Sequence, residues 1–324
     1  MACPSVKRVV SLLPSAAEII SLIVGNNPSV QLVGRSHEDD FPPSVTSLPI
    51  LTAPKTKFTT SADVDMQVSR FLAEGNSLYT LDTVLLKSLR PDIVITQDLC
   101  NVCSIDLVTV QRIAKQINPE PTIVTLNPLS IEDVISSISD VGKALGMIEE
   151  SSKAISMLWS RINHARDLAN QSIASGRKRT KVAFFEWTSP IYLGGHWTPQ
   201  LIRWSNGVQV VADCKDGNTA EMGAPPSVRV PPEDIIREKP EILIVCPCGL
   251  SLDDTRREYE ETLLPSNWWP SLSKYASKIA LVDGSQMFNR SGPRLVDALE
   301  WLVGYINDIP EVIPENFPWE NLKS

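Results

Sequence analysis

Residues 149–174 read EESSKAISMLWSRINHARDLANQSIA, and this stretch decides the fold. It contains neither proline nor glycine, and its apolar residues recur at helical spacing. These residues are Ala154, Ile155, Met157, Leu158, Ile162, Ala165 and Leu168. At 1.5 Å per residue the predicted helix is about 35–40 Å long, which is enough to run along two domains. Gly176 and the basic residues after it end the helix.

On either side of this helix, β-rich apolar runs alternate with helical stretches. Before it, strands are predicted at 8–13, 31–34, 92–96 and 122–126, and helices at 16–24, 81–89, 105–117 and 131–145. After it, strands are predicted at 181–185, 207–211, 241–246 and 279–283, and helices at 199–204, 232–237 and 293–306. Strands that alternate with helices pair in parallel. The sequence therefore predicts two Rossmann-like α/β lobes joined by one long backbone helix, with a ligand cleft between the lobes.

The domain boundaries follow from the same pattern. We expect an N-terminal lobe at 1–147, a connecting helix at 148–176, a C-terminal lobe at 177–312 and a tail at 313–324. The proline-rich tail is expected to lie on the surface, and residues 42–60 and 213–230 are expected to form loops.

Composition and charge limit the kinds of binding partner that this protein is expected to have. The 324 residues carry a formal net charge of -8, which argues against nucleic acid or an anionic membrane surface as a partner. No run approaches the roughly 18–20 continuous apolar residues of a membrane span. The N-terminal residues do not resemble a signal peptide, so a cytoplasmic location is expected. The six cysteines are too few for a disulfide scaffold, and reduced thiols are expected.

Four segments, in order along the chain, carry a family resemblance. They are RVVSLLPSAAEI (8–19), VGRSH (33–37) followed by FPP (41–43), LLKSLRPDIVI (85–95) and FNRSGPR (288–294). Together with the long helix, they resemble the helical-backbone metal-chelate receptors, the class III periplasmic-type substrate-binding proteins. The resemblance implies non-catalytic binding of a small metal chelate, either a cobalamin or corrinoid or an iron chelate. It implies an ABC importer as partner only if the protein is exported.

Within that family the chain is most similar to leaderless cobalamin-binding-like members. The segments that carry this similarity are GRSHE (34–38), DLCNVC (98–103), EW (186–187), GHW (195–197) and PCG (247–249). Exported cobalamin receptors surround the corrin ring with aromatic residues. Three of their tryptophan positions correspond here to Asn76, Gln97 and Met287, and their phenylalanine position corresponds to Tyr192. An aromatic wall for a flat apolar ligand is therefore largely missing, although Trp187 and Trp197 could supply a different one. The cofactor stays open, with cobalamin and a bound metal ion as the candidates.

The residues expected to contact the ligand follow from the resemblance and from strand ends, where ligands bind in α/β sheets. They are Ser36, His37, Tyr79, Gln97, Asp98, Glu186, Trp187, Tyr192, His196, Trp197, Met287, Phe288 and Arg290. Arg290 and Arg294 flank the start of the last predicted helix, where guanidinium groups and backbone amides suit an anion.

An alternative function rests on thiols and imidazoles. Cys100 and Cys103 form a C-x-x-C after a predicted strand, a spacing suited to metal or redox chemistry. With His37 and His196 they form a candidate metal site. The alternative is an intracellular metal- or thiol-dependent enzyme or metallochaperone that uses these residues and Glu186 in the cleft. No catalytic triad or phosphate-binding glycine loop is recognisable, so an enzyme is the less favoured reading.

Overall fold

The computed structural model describes residues 6–98, 107–214 and 226–323. The chain divides into two compact units. Unit 1 contains Met1–Phe58, Met66–Pro128 and Asp133–Met157, and unit 2 contains Thr59–Asp65, Leu129–Glu132 and Leu158–Ser324. The predicted boundary at 147/148 differs from this division, because the first residues of the long helix pack within unit 1.

The first half of the chain alternates strands and helices as predicted. Its elements are β1 (Lys7–Ser11), α1 (Pro14–Val24), β2 (Val30–Gly34), β3 (Thr52–Pro54), α2 (Ser61–Ala73), β4 (Tyr79–Leu81), α3 (Thr83–Leu89), β5 (Ile93–Thr96), α4 (Leu107–Ala114), β6 (Thr122–Thr125) and α5 (Ile131–Leu145). Unit 1 is built on a parallel sheet of strand order β2-β1-β5-β6. Strands β3 and β4 pair separately as an antiparallel ribbon. One detail differs: α1 begins at Pro14, two residues before the predicted start.

The second half contains the long helix and a mixed sheet. Its elements are α6 (Ile148–Ala174), β7 (Thr180–Thr188), β8 (Ile191–Leu193), α7 (Trp197–Trp204), β9 (Gly207–Gln209), β10 (Val228–Arg229), α8 (Pro232–Glu238), β11 (Ile242–Val245), α9 (Leu252–Glu258), α10 (Trp269–Ser273), β12 (Lys278–Val282), α11 (Leu295–Asn307) and β13 (Trp319–Lys323). The strand order in unit 2 is β10-β8-β7-β11-β12-β13, with β9 also pairing β7. Strands β7, β9, β11 and β12 are parallel, whereas β8, β10 and β13 run antiparallel to their neighbours.

Helix α6 spans 27 residues and confirms the predicted long helix. Its buried apolar residues follow one stripe at intervals of three or four: Ala154, Leu158, Ile162, Ala165 and Ala169. Met157, predicted to belong to the apolar face, is instead 48% exposed because it lies beside that stripe. Arg161 anchors the helix within unit 2, since its guanidinium bonds Asp297 and Glu300 of α11.

The C-terminal residues form β13 and not the predicted surface tail. Strand β13 pairs antiparallel with β12 at the edge of the unit 2 sheet. Aromatic packing explains this arrangement: the Trp301 ring of α11 stacks on Phe317 at 5.2 Å and meets Trp319 edge-on at 5.4 Å. The apolar rings near the C-terminus thus join the core of unit 2, which offsets the entropy cost of ordering this segment.

Candidate functional site

Apart from Tyr79, which belongs to the β3–β4 ribbon, the predicted ligand residues lie at the edges of the two sheets where the parallel strands end. We call these the carboxyl edges. Unit 1 holds Ser36 and His37 after β2, Tyr79 at the start of β4, and Gln97 and Asp98 after β5. Unit 2 holds Glu186 and Trp187 near the end of β7, Tyr192 in β8, His196 and Trp197 at the start of α7, and Met287, Phe288 and Arg290 between β12 and α11. Each unit therefore presents its share of these residues.

In unit 1, His37 is held by Thr52 of β3. The backbone N–H of His37 donates to the Thr52 hydroxyl at 2.9 Å, and ring atom Nδ1 lies 2.6 Å from the same oxygen. The Thr52 hydroxyl can donate its own proton to Nδ1 of His37. In that arrangement the proton of the neutral imidazole is on Nε2. Burial, together with nearby Arg35, lowers the pKa of His37, although Glu38 opposes this effect. At neutral pH the side chain is therefore a neutral hydrogen-bond donor beside the Tyr79 ring, 5.6 Å away.

The segment around His37 is shaped by Arg35, which the sequence pattern did not single out. Its guanidinium donates to the backbone carbonyls of Ser36 at 3.1 Å, Asp39 at 2.9 Å and Thr46 at 3.0 Å. Gly34, just before it, is closely packed, because a Cβ there would lie 2.5 Å from the Leu51 side chain, which would have to shift. The motif thus folds a tight turn that leaves His37 half-buried and Ser36 fully buried.

The loop after β5 is more open. Gln97 is half-buried and Asp98 is exposed, and the Asp98 backbone N–H donates to the Asn127 side chain at 2.8 Å. Cys100 and Cys103 follow directly but lie outside the described residues.

In unit 2, Glu186 organises the carboxyl edge. Its carboxylate accepts one hydrogen bond from the Ser227 hydroxyl and another from the backbone N–H of Gly195 at 3.2 Å. Burial raises the pKa of this carboxyl group, and the two hydrogen bonds only partly offset that effect. Glu186 thereby connects the end of β7 to the loop that carries His196.

Two strained residues flank a single hydrogen bond at this edge. His196 has φ 50° and Phe288 has φ 63°, a region that side-chain-bearing residues rarely adopt. The indole Nε1–H of buried Trp197 donates to the Phe288 carbonyl at 2.6 Å. Gln209 holds the same loop from the other side, donating to the Gly194 carbonyl at 2.7 Å. Strain of this kind persists only where surrounding contacts impose it, and it concentrates at ligand-binding positions.

His196 itself is half-buried, and its ring makes no hydrogen bond with any described residue. Burial lowers its pKa, so the imidazole is neutral at pH 7. Its ring lies 5.7 Å from that of Trp197. The strained loop therefore presents a neutral imidazole whose nitrogen atoms have no hydrogen-bond partner in the part of the chain that the structure describes.

Four of the predicted ligand residues in unit 2 are buried. Phe288 packs into the core against Phe184 at 4.8 Å and Trp301 at 6.0 Å. Met287, Arg290 and Trp197 each have 7% or less of their surface exposed. The structure gives the side chains of Phe288 and Trp197 a packing role, whereas Trp187 and Tyr192 remain partly exposed.

Sequence reasoning missed a buried carboxylate beside this edge. Glu258 of α9 accepts hydrogen bonds from the Thr188 hydroxyl at 2.6 Å and from the Ser61 hydroxyl. Trp187 donates from Nε1 to the Ser61 carbonyl at 3.1 Å, which ties the first turn of α2 into unit 2. No sequence signal could reveal this group, because its members lie far apart along the chain.

The described part of the chain holds no cluster of side chains that could bind a metal ion. Among residues 6–98, 107–214 and 226–323, no three His, Cys, Asp or Glu side chains converge as metal ligands. His37 belongs to unit 1 and His196 to unit 2. Cys246 is buried, and burial, with added repulsion from Asp283, raises its pKa well above the ordinary value, so its thiol stays protonated. The predicted roles of Cys100 and Cys103 fall outside the described residues.

Comparison with known proteins establishes the fold. No protein-family model matches the chain, and no curated protein sequence matches it. Solved structures do match. A periplasmic heme-binding protein from Pseudomonas aeruginosa is 16% identical, with a TM-score of 0.65 over 94% of this chain and 93% of that one. The periplasmic vitamin B12-binding protein of Vibrio cholerae is 17% identical, with a TM-score of 0.59 over 94% and 98%. An ABC transporter substrate-binding protein from Listeria monocytogenes is 15% identical, with a TM-score of 0.65 over 94% and 100%.

These likenesses extend over nearly the whole chain and include the long helix. The protein has the fold of the class III periplasmic-type substrate-binding proteins, the helical-backbone metal-chelate receptors. The resemblance predicted from four short segments is confirmed for the fold. Within the described ranges, no helix combines the length and hydropathy that a bilayer crossing requires.

Proposed function

We propose that this protein is a non-catalytic receptor for a small metal-chelate ligand, either a corrinoid or an iron chelate such as an iron tetrapyrrole. The observation that carries the proposal is the preorganised carboxyl edge of unit 2, set in a fold shared with heme- and vitamin B12-binding proteins. Binding proteins of this kind need rigid contact residues and no reacting groups, because rigidity lowers the entropy cost of binding.

Each carboxyl edge, taken by itself, carries side chains that suit such a ligand. His37 and His196 are neutral, so each can meet a metal chelate without the cost of burying a charge. Tyr79, Trp187 and Tyr192 are partly exposed flat rings that can contact a planar macrocycle. Of these groups, His196 is held most firmly, because Glu186, Gln209 and Trp197 all anchor its loop.

The proposal is tested by titrating the purified chain with hydroxocobalamin, hemin and a ferric catecholate chelate. We expect at least one of them to quench tryptophan fluorescence with a dissociation constant in or below the micromolar range and to be recovered unchanged. Absence of a response to all three at tens of micromolar would overturn it.

A histidine series locates the site, because the chain has three histidines. His196→Ala should weaken binding of the responsive ligand about tenfold or more, which corresponds to one lost metal or hydrogen-bond contact. His164→Ala is the matched control, since His164 lies exposed on α6. Equal affinities for the two variants would contradict the placement of the ligand at the unit 2 edge.

The partner and location form a separate part of the proposal. We propose a cytoplasmic location; if the protein is instead exported, its partner is an ABC importer. Fractionation of cells that express the natural gene decides between these locations. The same preparation tests the thiol-dependent alternative: a co-purifying metal that Cys100→Ser with Cys103→Ser removes would favour it over a pure receptor.

A further inference from the structure

A groove of about 460 Å³ opens on unit 2 beside the turn between β7 and β8. Its walls include Pro190, Ile191, Val230, Pro231 and Trp268, together with Arg229. None of the ligand residues predicted from the sequence lines it. Its volume lies within the range of small-molecule sites, about 300–1,000 Å³. This groove is a feature of the molecule separate from the residues of the proposed receptor site.

The apolar part of the groove is rigid. Ile191 and Val230 are each 5% exposed and belong to the hydrophobic core of unit 2, so their positions are set by core packing. Trp268 packs on the same core and meets Trp269 edge-on, with ring centres 5.7 Å apart. Proline rings have no rotamer freedom to lose when a ligand binds. These walls form a preformed surface on which a flat ring can stack.

Arg229 supplies the charge of the groove. It lies on edge strand β10, where pairing with Tyr192 of β8 fixes its backbone. The side chain is exposed, and no carboxylate among the described residues forms an ion pair with it. A guanidinium group binds a carboxylate through two parallel hydrogen bonds, which gives orientation as well as affinity. An apolar wall with one cation beside it is complementary to a molecule with a ring at one end and a carboxylate at the other.

We propose that this groove is a second ligand site, which binds a small aromatic carboxylate. The ring lies against Trp268 and the prolines, and the carboxylate pairs with Arg229. The proposal does not depend on the metal-chelate function, because the two sites share none of the residues that carry either argument.

The test uses 2-naphthoate as the probe, with saturation-transfer NMR and calorimetry on the full chain. For a ligand of this size we expect a dissociation constant below about 1 mM. The neutral analogue 2-naphthol and the ringless anion acetate should each bind at least tenfold more weakly. Saturable binding of acetate alone, or no saturable binding of 2-naphthoate, would overturn the proposal.

Two variants at exposed positions test the groove without disturbing the folded core. Arg229→Gln should weaken 2-naphthoate about tenfold, since it removes the charge-assisted pair. Arg237→Gln is the matched control, because Arg237 is an exposed arginine of α8 outside the groove. Equal effects of the two variants would refute the role of Arg229. Hemin and cobalamin titrations of Arg229→Gln should match those of the unaltered protein, so the two proposals fail or succeed separately.

Discussion

The hydrogen bond from Trp197 to Phe288 provides the sharpest test of how the unit 2 edge is held together. Trp197→Phe keeps an aromatic ring in a position that is 7% exposed but removes the indole N–H. The Phe288 carbonyl, now 2.6 Å from its donor, then loses that partner inside the protein. His196 and Phe288, on either side of the bond, both have positive φ angles. The substitution therefore removes one contact that imposes strain on two residues.

The expected magnitude follows from these contacts. A buried carbonyl without its donor costs about 1–3 kcal/mol, and the smaller ring adds a modest cavity term. Each strained residue stores about 1 kcal/mol or more, which it recovers by relaxing once the bond is absent. Because the recovered strain offsets much of the lost hydrogen bond, we expect a net loss of about 1 kcal/mol in the free energy of unfolding. Ligand affinity should fall as well, because a relaxed His196 loop must be reordered on binding.

Urea unfolding followed by circular dichroism, with titration of the responsive metal chelate, measures both effects. Trp204→Phe is the matched control: Trp204 lies on the same helix, with the Arg166 guanidinium 4.4 Å from its ring centre, and its indole N–H makes no hydrogen bond with a described residue. If Trp197→Phe and Trp204→Phe agree within about 0.5 kcal/mol and bind the ligand equally, the reasoning about the strained loop is wrong.

Two further predictions concern the same edge. Gly284→Ala should lower the free energy of unfolding by about 3 kcal/mol in thermal unfolding, because its Cβ would lie 1.9 Å from the Pro247 carbonyl oxygen; a loss below about 0.5 kcal/mol would contradict this. Because the pKa of Glu186 is raised, the folded protein binds the carboxyl proton of Glu186 more tightly than the unfolded chain does. The stability that this protonated carboxyl group contributes is therefore lost as pH rises from about 4.5 through the pKa of the folded state. Glu186→Gln should therefore gain stability relative to the unaltered protein between pH 4 and 7 in urea unfolding, whereas a pH-independent difference would refute the assignment.

Much of the fold was predictable because strong local patterns carry it. The predicted strand at 92–96 became β5, and the predicted helix at 131–145 became α5 with the same bounds. Both have regular apolar periodicity, which tertiary contacts only reinforce. The missed elements lack it: α2 buries only Ser61 along its length, and β8 and β10 are short strands held by pairing.

The site was less predictable than the fold. Strand ends were the signal used to predict the site residues, and the structure places Glu186, His37 and His196 at the carboxyl edges. Which side chains reach the surface could not be deduced, because burial depends on distant partners. Phe288 is buried by Trp301 and Phe317, and Glu258 pairs with Ser61 across 197 positions of the chain.

The sequence by itself determined the long helix, the strand–helix alternation and the four segments that resemble a receptor family. These are local properties, set by backbone preferences and by apolar spacing within a few turns. Only the tertiary structure decided that the helix joins unit 2 through Arg161, that the C-terminal residues form β13, and that His196 sits in a strained loop. Those features depend on contacts between residues far apart in the chain, whose energies no local pattern encodes.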